Sequence, residues 1–192
     1  ICFLPLFLYG LYGLWDSSQI NKNANAALYE TYKPTAKDSI SFAELQRQNP
    51  DVFGWITVDQ THIDYPLLQG TDNSKYVNTD ALGEFSLSGS IFLDCNNQKN
   101  FSDMNSIIYG HHMAENAMFG ELEQFEQPSY FEKHAKGKLY YEGAWHSIEF
   151  FAFLHTDAYD KVVYDTALQR RTDVSAYLDY VRQNAIYFKE QS

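Results

Sequence analysis

Positive charge is scarce in this sequence: 14 Lys and Arg stand against 25 Asp and Glu, a formal net charge of −11 over 192 residues. Nucleic-acid binding rests on clustered Lys and Arg that release counterions, so this balance excludes it. Cysteine is almost missing as well. Cys2 lies in an apolar run and Cys95 among Asp and Asn, surroundings too unlike to form a disulfide framework. A full-length hydrophobic span is also lacking, since the apolar run Ile1 to Trp15 has fifteen residues and a comfortable crossing needs ~20. Internal repeats are absent.

That run still has three readings. It is part of a membrane anchor whose remainder and basic flank precede Ile1, the core of a cleaved signal peptide, or a buried helix. The anchor reading is favoured, with Trp15-Asp16 at the interface. The first two readings place the rest of the chain outside the cytoplasm. The chain stops at Ser192 just after a helix-like segment, and we expect it to be a fragment at both ends.

Aromatic residues are abundant, with 15 Tyr and 14 Phe, and they favour β structure. Residues 16–48 read as a helical stalk or N-terminal extension, with Ser41-Phe-Ala-Glu44 as a capping box opening a helix that ends near Gln48. Strands are expected at 52–58, 63–68, 89–94, 105–109, 137–141 and 146–153. Pro66 places the second at an edge or a bulge. Helical turns are expected at 73–78, 119–125 and 130–134, and a helix from Thr172 to Val181. Many short strands with interspersed helices suggest a barrel or sandwich with helical decoration.

The stretch that organises the chain is Asn105-Ser-Ile-Ile-Tyr-Gly-His-His-Met113, followed by Met118-Phe-Gly-Glu-Leu122. It is a buried-type strand, a glycine, and a histidine pair at the strand end, a place suited to proton transfer near neutral pH. Four readings of His111 stand side by side. With His112 and Glu115 it resembles a metal site, but the second helical His of the zinc-protease pattern is absent. With Cys95 it would form a dyad, yet hairpin geometry separates the two by on the order of 20 Å. It is a satisfied core histidine, or it is a general acid/base whose nucleophile lies beyond Ser192.

From about Asn49 onward the chain resembles the class B sortases, the membrane-anchored extracellular cysteine transpeptidases of Gram-positive bacteria. The matching segments are Asn49-Pro-Asp-Val-Phe-Gly-Trp-Ile56, Ile63-Asp-Tyr-Pro-Leu-Leu-Gln-Gly70, Gly89-Ser-Ile-Phe-Leu-Asp94 and the two histidine-region motifs, in order and at matching spacing. The resemblance implies a sortase-like eight-stranded β-barrel, mainly β with helices, with its last strands missing from residues 49–192. It implies His111 as the catalytic histidine, with sorting-signal contacts at Asn73, Val77, Tyr109, Val162 and Val163. The implied partners are surface proteins or pilins with a C-terminal sorting signal, and a peptidoglycan-precursor or pilin-lysine amine. No metal or organic cofactor is implied. The family's Thr-Leu-x-Thr-Cys-like strand and following arginine have no counterpart: Cys95 lies upstream of the histidine, and Arg170 and Arg171 follow no such cysteine. The alternative is a nucleophile-less sortase-like barrel that binds a peptide at the cell surface without cleaving it. On the first reading, residues 17–192 alone should show no transpeptidation of a labelled sorting-signal peptide, and full activity would overturn it.

Overall fold

The computed structural model describes residues 3–35, 40–168 and 171–189. Cys2 and Arg170, named above, lie outside the described residues. A six-stranded sheet forms the centre, in the order β4-β3-β2-β1-β5-β6. Its strands are β1 (Val52–Val58), β2 (Asp64–Leu68), β3 (Ile91–Leu93), β4 (Ile108–Tyr109), β5 (Lys136–Tyr141) and β6 (Ala144–Glu149). All neighbours are antiparallel except β2 and β3. A separate pair joins β7 (Ala152–Phe153) to β8 (Tyr187–Phe188).

β1, β2 and β3 are the buried part of the sheet, with Trp55, Leu67, Leu68 and Leu93 fully buried. Their Val, Ile, Trp and Tyr side chains suit a pleated surface covered by neighbours. Of the two readings of Pro66, an edge or a bulge, the edge needs correcting, because β2 lies between β1 and β3, while the β1–β2 pairing carries an irregularity on β1 between Val52 and Gly54. The physical demand behind it is still met. β3 pairs only with Leu67 and Leu68, so Pro66 faces β1 across from Trp55 and reaches no third strand where its missing N–H would be needed. The expected strand over 146–153 is divided in two. β6 ends at Glu149 on the outer edge of the sheet, the Phe150 N–H donates to the Ala135 carbonyl, and the chain turns away to pair with β8, which sequence patterning did not reveal.

Among the described residues four α-helices accompany the sheet: α1 (Phe3–Asn23), α2 (Ile40–Gln48), α3 (Pro128–His134) and α4 (Arg171–Asn184). α2 already includes Ile40, so Ser41 is inside the helix and is not its N-cap. Its buried face is Phe42 and Leu45, three residues apart as helical periodicity requires. α3 opens with Pro128 in its first turn, where the missing N–H costs nothing. The expected turns at 73–78 and 119–125 are 3-10 helices at Lys75–Val77 and Gly120–Glu126.

The segment after α1 makes contacts with the sheet. Ala24 and Tyr29 are buried, the Tyr65 hydroxyl donates to the Ala24 carbonyl at 2.9 Å, and Lys33 pairs with Asp64 at 2.6 Å. α1 itself exposes Leu4, Leu6, Phe7, Leu8, Tyr9, Leu11 and Tyr12. Among the described residues no helix is long and apolar enough to cross a membrane.

Glu121 is the buried carboxylate beneath this framework, 4% exposed. It accepts from the His62 N–H at 2.6 Å, lies 3.0 Å from His62 Nδ1, and accepts from the Tyr130 hydroxyl at 2.7 Å. Burial pushes its pKa up, but these bonds outweigh burial and the net shift is downward. A lowered folded pKa stabilises the fold above the unfolded value, about 4.3, and that contribution is lost as pH falls through the folded value. Glu121→Gln should remove this acid-sensitive part of the stability, read as a flatter stability profile below about pH 5. Leu67→Ala, at a fully buried position, should cost about 2–5 kcal/mol in denaturant unfolding at any pH.

Candidate active-site groove

β3 and β4 run antiparallel with Phe92 opposite Tyr109 and Leu93 opposite Ile108. Their divergent ends deliver different chemistry. β3 leads into Asp94 and Cys95, and β4 leads into Gly110 and His111. A Cβ at Gly110 would sit 2.3 Å from Ile91 Cδ1 and 2.7 Å from the Phe119 ring, so a larger residue there would force these side chains to shift.

A groove of about 240 Å³ opens beside this pair, lined by Asn73, Val77, Phe92, Tyr109, Gly110 and His111. Four of the residues singled out from the sequence, Asn73, Val77, Tyr109 and His111, therefore share one cavity, although they come from a loop, a 3-10 turn and a strand end. Val162 and Val163 are not on its lining. Their loop is nonetheless tied to it: Asn105 Nδ2 donates to the Val163 and Asp165 carbonyls at 3.0 and 2.9 Å, and the Tyr164 ring stacks on Tyr109 at 6.4 Å between centroids. Within the loop, Asp160 accepts from the Val162 and Val163 N–H groups.

The groove's polar groups converge on Asp94, 4% exposed. Its Oδ2 accepts from Asn73 Nδ2 at 2.7 Å and from the Tyr109 hydroxyl at 2.9 Å. Its Oδ1 accepts from the backbone and side-chain N–H groups of Asn96 at 2.8 and 2.9 Å. Burial raises the Asp94 pKa, and the combined hydrogen bonds from Asn96, Tyr109 and Asn73 lower it further, leaving it below the ordinary carboxylate range. Burial, followed by the bond to this carboxylate, pushes the Tyr109 hydroxyl pKa up, so it stays a neutral donor. Sequence reading missed Asp94 and Tyr164. Asp94 had been placed only as the end of a strand, and the available signal was an ionisable residue directly after an all-apolar run.

His111 occupies the groove's other end, and its Nε2 is 2.8 Å from the Val77 carbonyl. Cys95 is not beside it. With Leu93 paired to Ile108, Cys95 lies level with residue 106, on the order of 16 Å along the strand from His111. The Cys95 contribution is its backbone N–H, which donates to Asn73 Oδ1 at 2.8 Å. His112 points elsewhere, 3.3 Å from Glu123, while Glu115 lines a separate cavity with His62 and Tyr65. The metal triad of the sequence reading is thus dispersed.

The groove offers a histidine at its end, an aromatic and aliphatic wall, and fixed amide and hydroxyl groups, an arrangement suited to an extended peptide beside a proton-transfer group. No family model matches the chain. Sortase B of Listeria monocytogenes is 36% identical over 146 residues, which are 75% of this chain and 58% of that protein. Sortase B of Staphylococcus aureus is 32% identical over 145 residues, 76% of this chain and 59% of that protein. The chain thus spans less than two thirds of the length of these curated relatives. Among solved structures, a class B sortase of Streptococcus pyogenes involved in pilus biogenesis superposes with a TM-score of 0.74 at 39% identity, covering 80% of this chain and 82% of that one.

Asp94→Ala should leave the Tyr109 hydroxyl and the Asn73 amide without their shared acceptor. The expected loss is about 1–3 kcal/mol in equilibrium unfolding. A wild-type unfolding curve in this variant would mean that the network does not hold the groove.

Proposed function

The chain belongs to the class B sortases, and we propose that it supplies the histidine and the peptide groove of a cysteine transpeptidase that cleaves a C-terminal sorting signal and transfers the new carboxyl to an amine. The observation that carries this reading is the convergence of His111, Tyr109, Asn73 and Val77 on one groove at the end of β4.

Cys95 is too far from His111 to be the nucleophile. β4 pairs with β3 alone among the described residues, so its other edge has backbone groups available to a further strand. We place the nucleophilic cysteine on such a strand, with an arginine on the next, both outside these 192 residues.

The steps follow from the residue types. The thiolate attacks the carbonyl carbon of the scissile peptide bond, and the charge that gathers on oxygen is met by the arginine's N–H donors. The tetrahedral adduct collapses, the C–N bond breaks, and His111 gives its proton to the departing amine. A thioester remains. The incoming amine attacks the same carbon, His111 takes its proton, the C–S bond breaks, and the thiolate is restored. An amide replaces an amide, and no external oxidant or energy source is consumed.

The amine is that of a peptidoglycan precursor or of a pilin lysine, and the peptide is the sorting signal of a surface protein or pilin. Val162 and Val163 would meet this peptide on the loop that Asn105 ties to the groove. The solved relatives include a Staphylococcus aureus sortase B–substrate complex, aligned over 95% of this chain at 26% identity. We place the domain at the cell surface, with the exposed apolar residues of α1 as part of its membrane anchor.

In the protein completed with its cysteine strand, His111→Ala should reduce transfer of a labelled sorting-signal peptide to an amine acceptor by at least 10³-fold, since it removes both proton transfers. Retention of more than a tenth of the activity would overturn the role of His111. If the completed gene encodes no cysteine, peptide binding without cleavage would be the outcome that replaces this proposal.

A further inference from the structure

The 3-10 turn Lys75–Val77 is held from several sides. Asp72 Oδ1 accepts from the N–H groups of Ser74 and Lys75 at 2.7 and 3.0 Å. Lys75 pairs with Asp51 at 2.7 Å. Tyr76 is fully buried, and its hydroxyl sits 3.1 Å from Asn49 Oδ1 and 2.8 Å from Asp51 Oδ2. The two carbonyls that leave this turn have separate uses. That of Tyr76 accepts from the Ser90 N–H at 3.0 Å, and that of Val77 faces His111 Nε2 at 2.8 Å.

Both carbonyls pass directly over Gly89. A Cβ at this position would lie 2.4 Å from the Val77 oxygen and 2.5 Å from the Tyr76 oxygen, and its φ of +57° is in the left-handed region. Glycine alone satisfies both the conformation and the clearance. The turn and the β3 approach therefore meet at a contact with no spare room.

A carbonyl oxygen only accepts, so His111 Nε2 must carry the proton in this contact. In the neutral ring the second nitrogen, Nδ1, is then the acceptor. Among the described residues Nδ1 of His111 has no hydrogen-bond partner, and the residue lines the groove. We propose that the Val77 carbonyl, seated over Gly89, is a positioning group that locks His111 as the Nε2–H tautomer and leaves Nδ1 as the nitrogen that exchanges protons with the peptide and the amine. Gly89 and the buried Tyr76 are positioning residues acting through this carbonyl. The proton-exchange role rests on the proposed transpeptidase function, whereas the tautomer does not. Val77 would then serve twice, its side chain on the groove wall and its backbone on the histidine, so the loop that meets the peptide also orients the base.

Long-range ¹H–¹⁵N correlation spectra of the histidine rings in the ¹⁵N-labelled 192-residue chain, above the pH at which the ring is protonated, test this directly. The His111 signal is assigned by its loss in His111→Gln. The expected result is one Nε2–H tautomer in the wild type and a mixture of both tautomers in Gly89→Ala. A wild-type Nδ1–H form or an even mixture would overturn the proposal, as would an unchanged ring signal in folded Gly89→Ala. Should Gly89→Ala not fold, Tyr76→Phe loosens the same turn by loss of one hydroxyl, and an unchanged tautomer in that variant would overturn the positioning chain. The measurement needs no substrate, so an inactive His111 with the expected tautomer would count against the transpeptidase reading alone.

Discussion

One buried carboxylate holds the groove together. Asp94 lies where β3 stops, and its two oxygens accept four hydrogen bonds from Asn73, Tyr109 and Asn96. Without that acceptor, an amide on a loop and a hydroxyl on a strand would have no common reference point. Taking a charge out of water is costly unless its hydrogen bonds are made, and here the satisfied network keeps the carboxyl ionised despite burial. Asn73 in turn uses its carbonyl oxygen to accept from the Cys95 N–H. Its amide is fixed at both ends and its orientation is settled before any ligand arrives, which lowers the ordering cost of binding.

The opposite end of the groove follows a different rule. His111 sits between close contacts, with Gly110 against the Ile91 and Phe119 side chains and with Gly89 beneath the Val77 carbonyl that its ring meets. A side-chain network tolerates conservative exchange, but a contact with no room for a Cβ does not. The same domain thus builds one side of the groove from polar satisfaction and the His111 end from steric exclusion. The loop carrying Val162 and Val163 has yet another attachment, through Asn105 and the stacking of Tyr164 on Tyr109.

Several features were legible in the sequence for physical reasons. β1 was readable because its seven residues are rich in β-branched and aromatic side chains and nearly all buried, and the β5–β6 hairpin because Glu142 and Gly143 form a two-residue turn with positive φ at both positions. The histidine at the end of a short apolar strand was visible as an ionisable residue in an unusual place. Other features were not. Ser41 matched a capping pattern, yet the helix already includes Ile40, an offset of the size by which helix ends ordinarily vary. β8 is two residues long, too short to carry a period, and it pairs with β7 across more than thirty positions of sequence.

Sequence by itself therefore determined the family, the strand-rich core and the identity of His111 as the group to watch, because ordered motifs and local periodicity are properties of neighbouring residues. Tertiary structure decided which residues meet. Asp94 became the hub of the groove, and Tyr164 was brought onto Tyr109. Each of these depends on the antiparallel register of β3 against β4 and on a loop folded back from some sixty residues away. Pairing over such distances is settled by packing and hydrogen-bond satisfaction of the whole domain, and no local pattern encodes it.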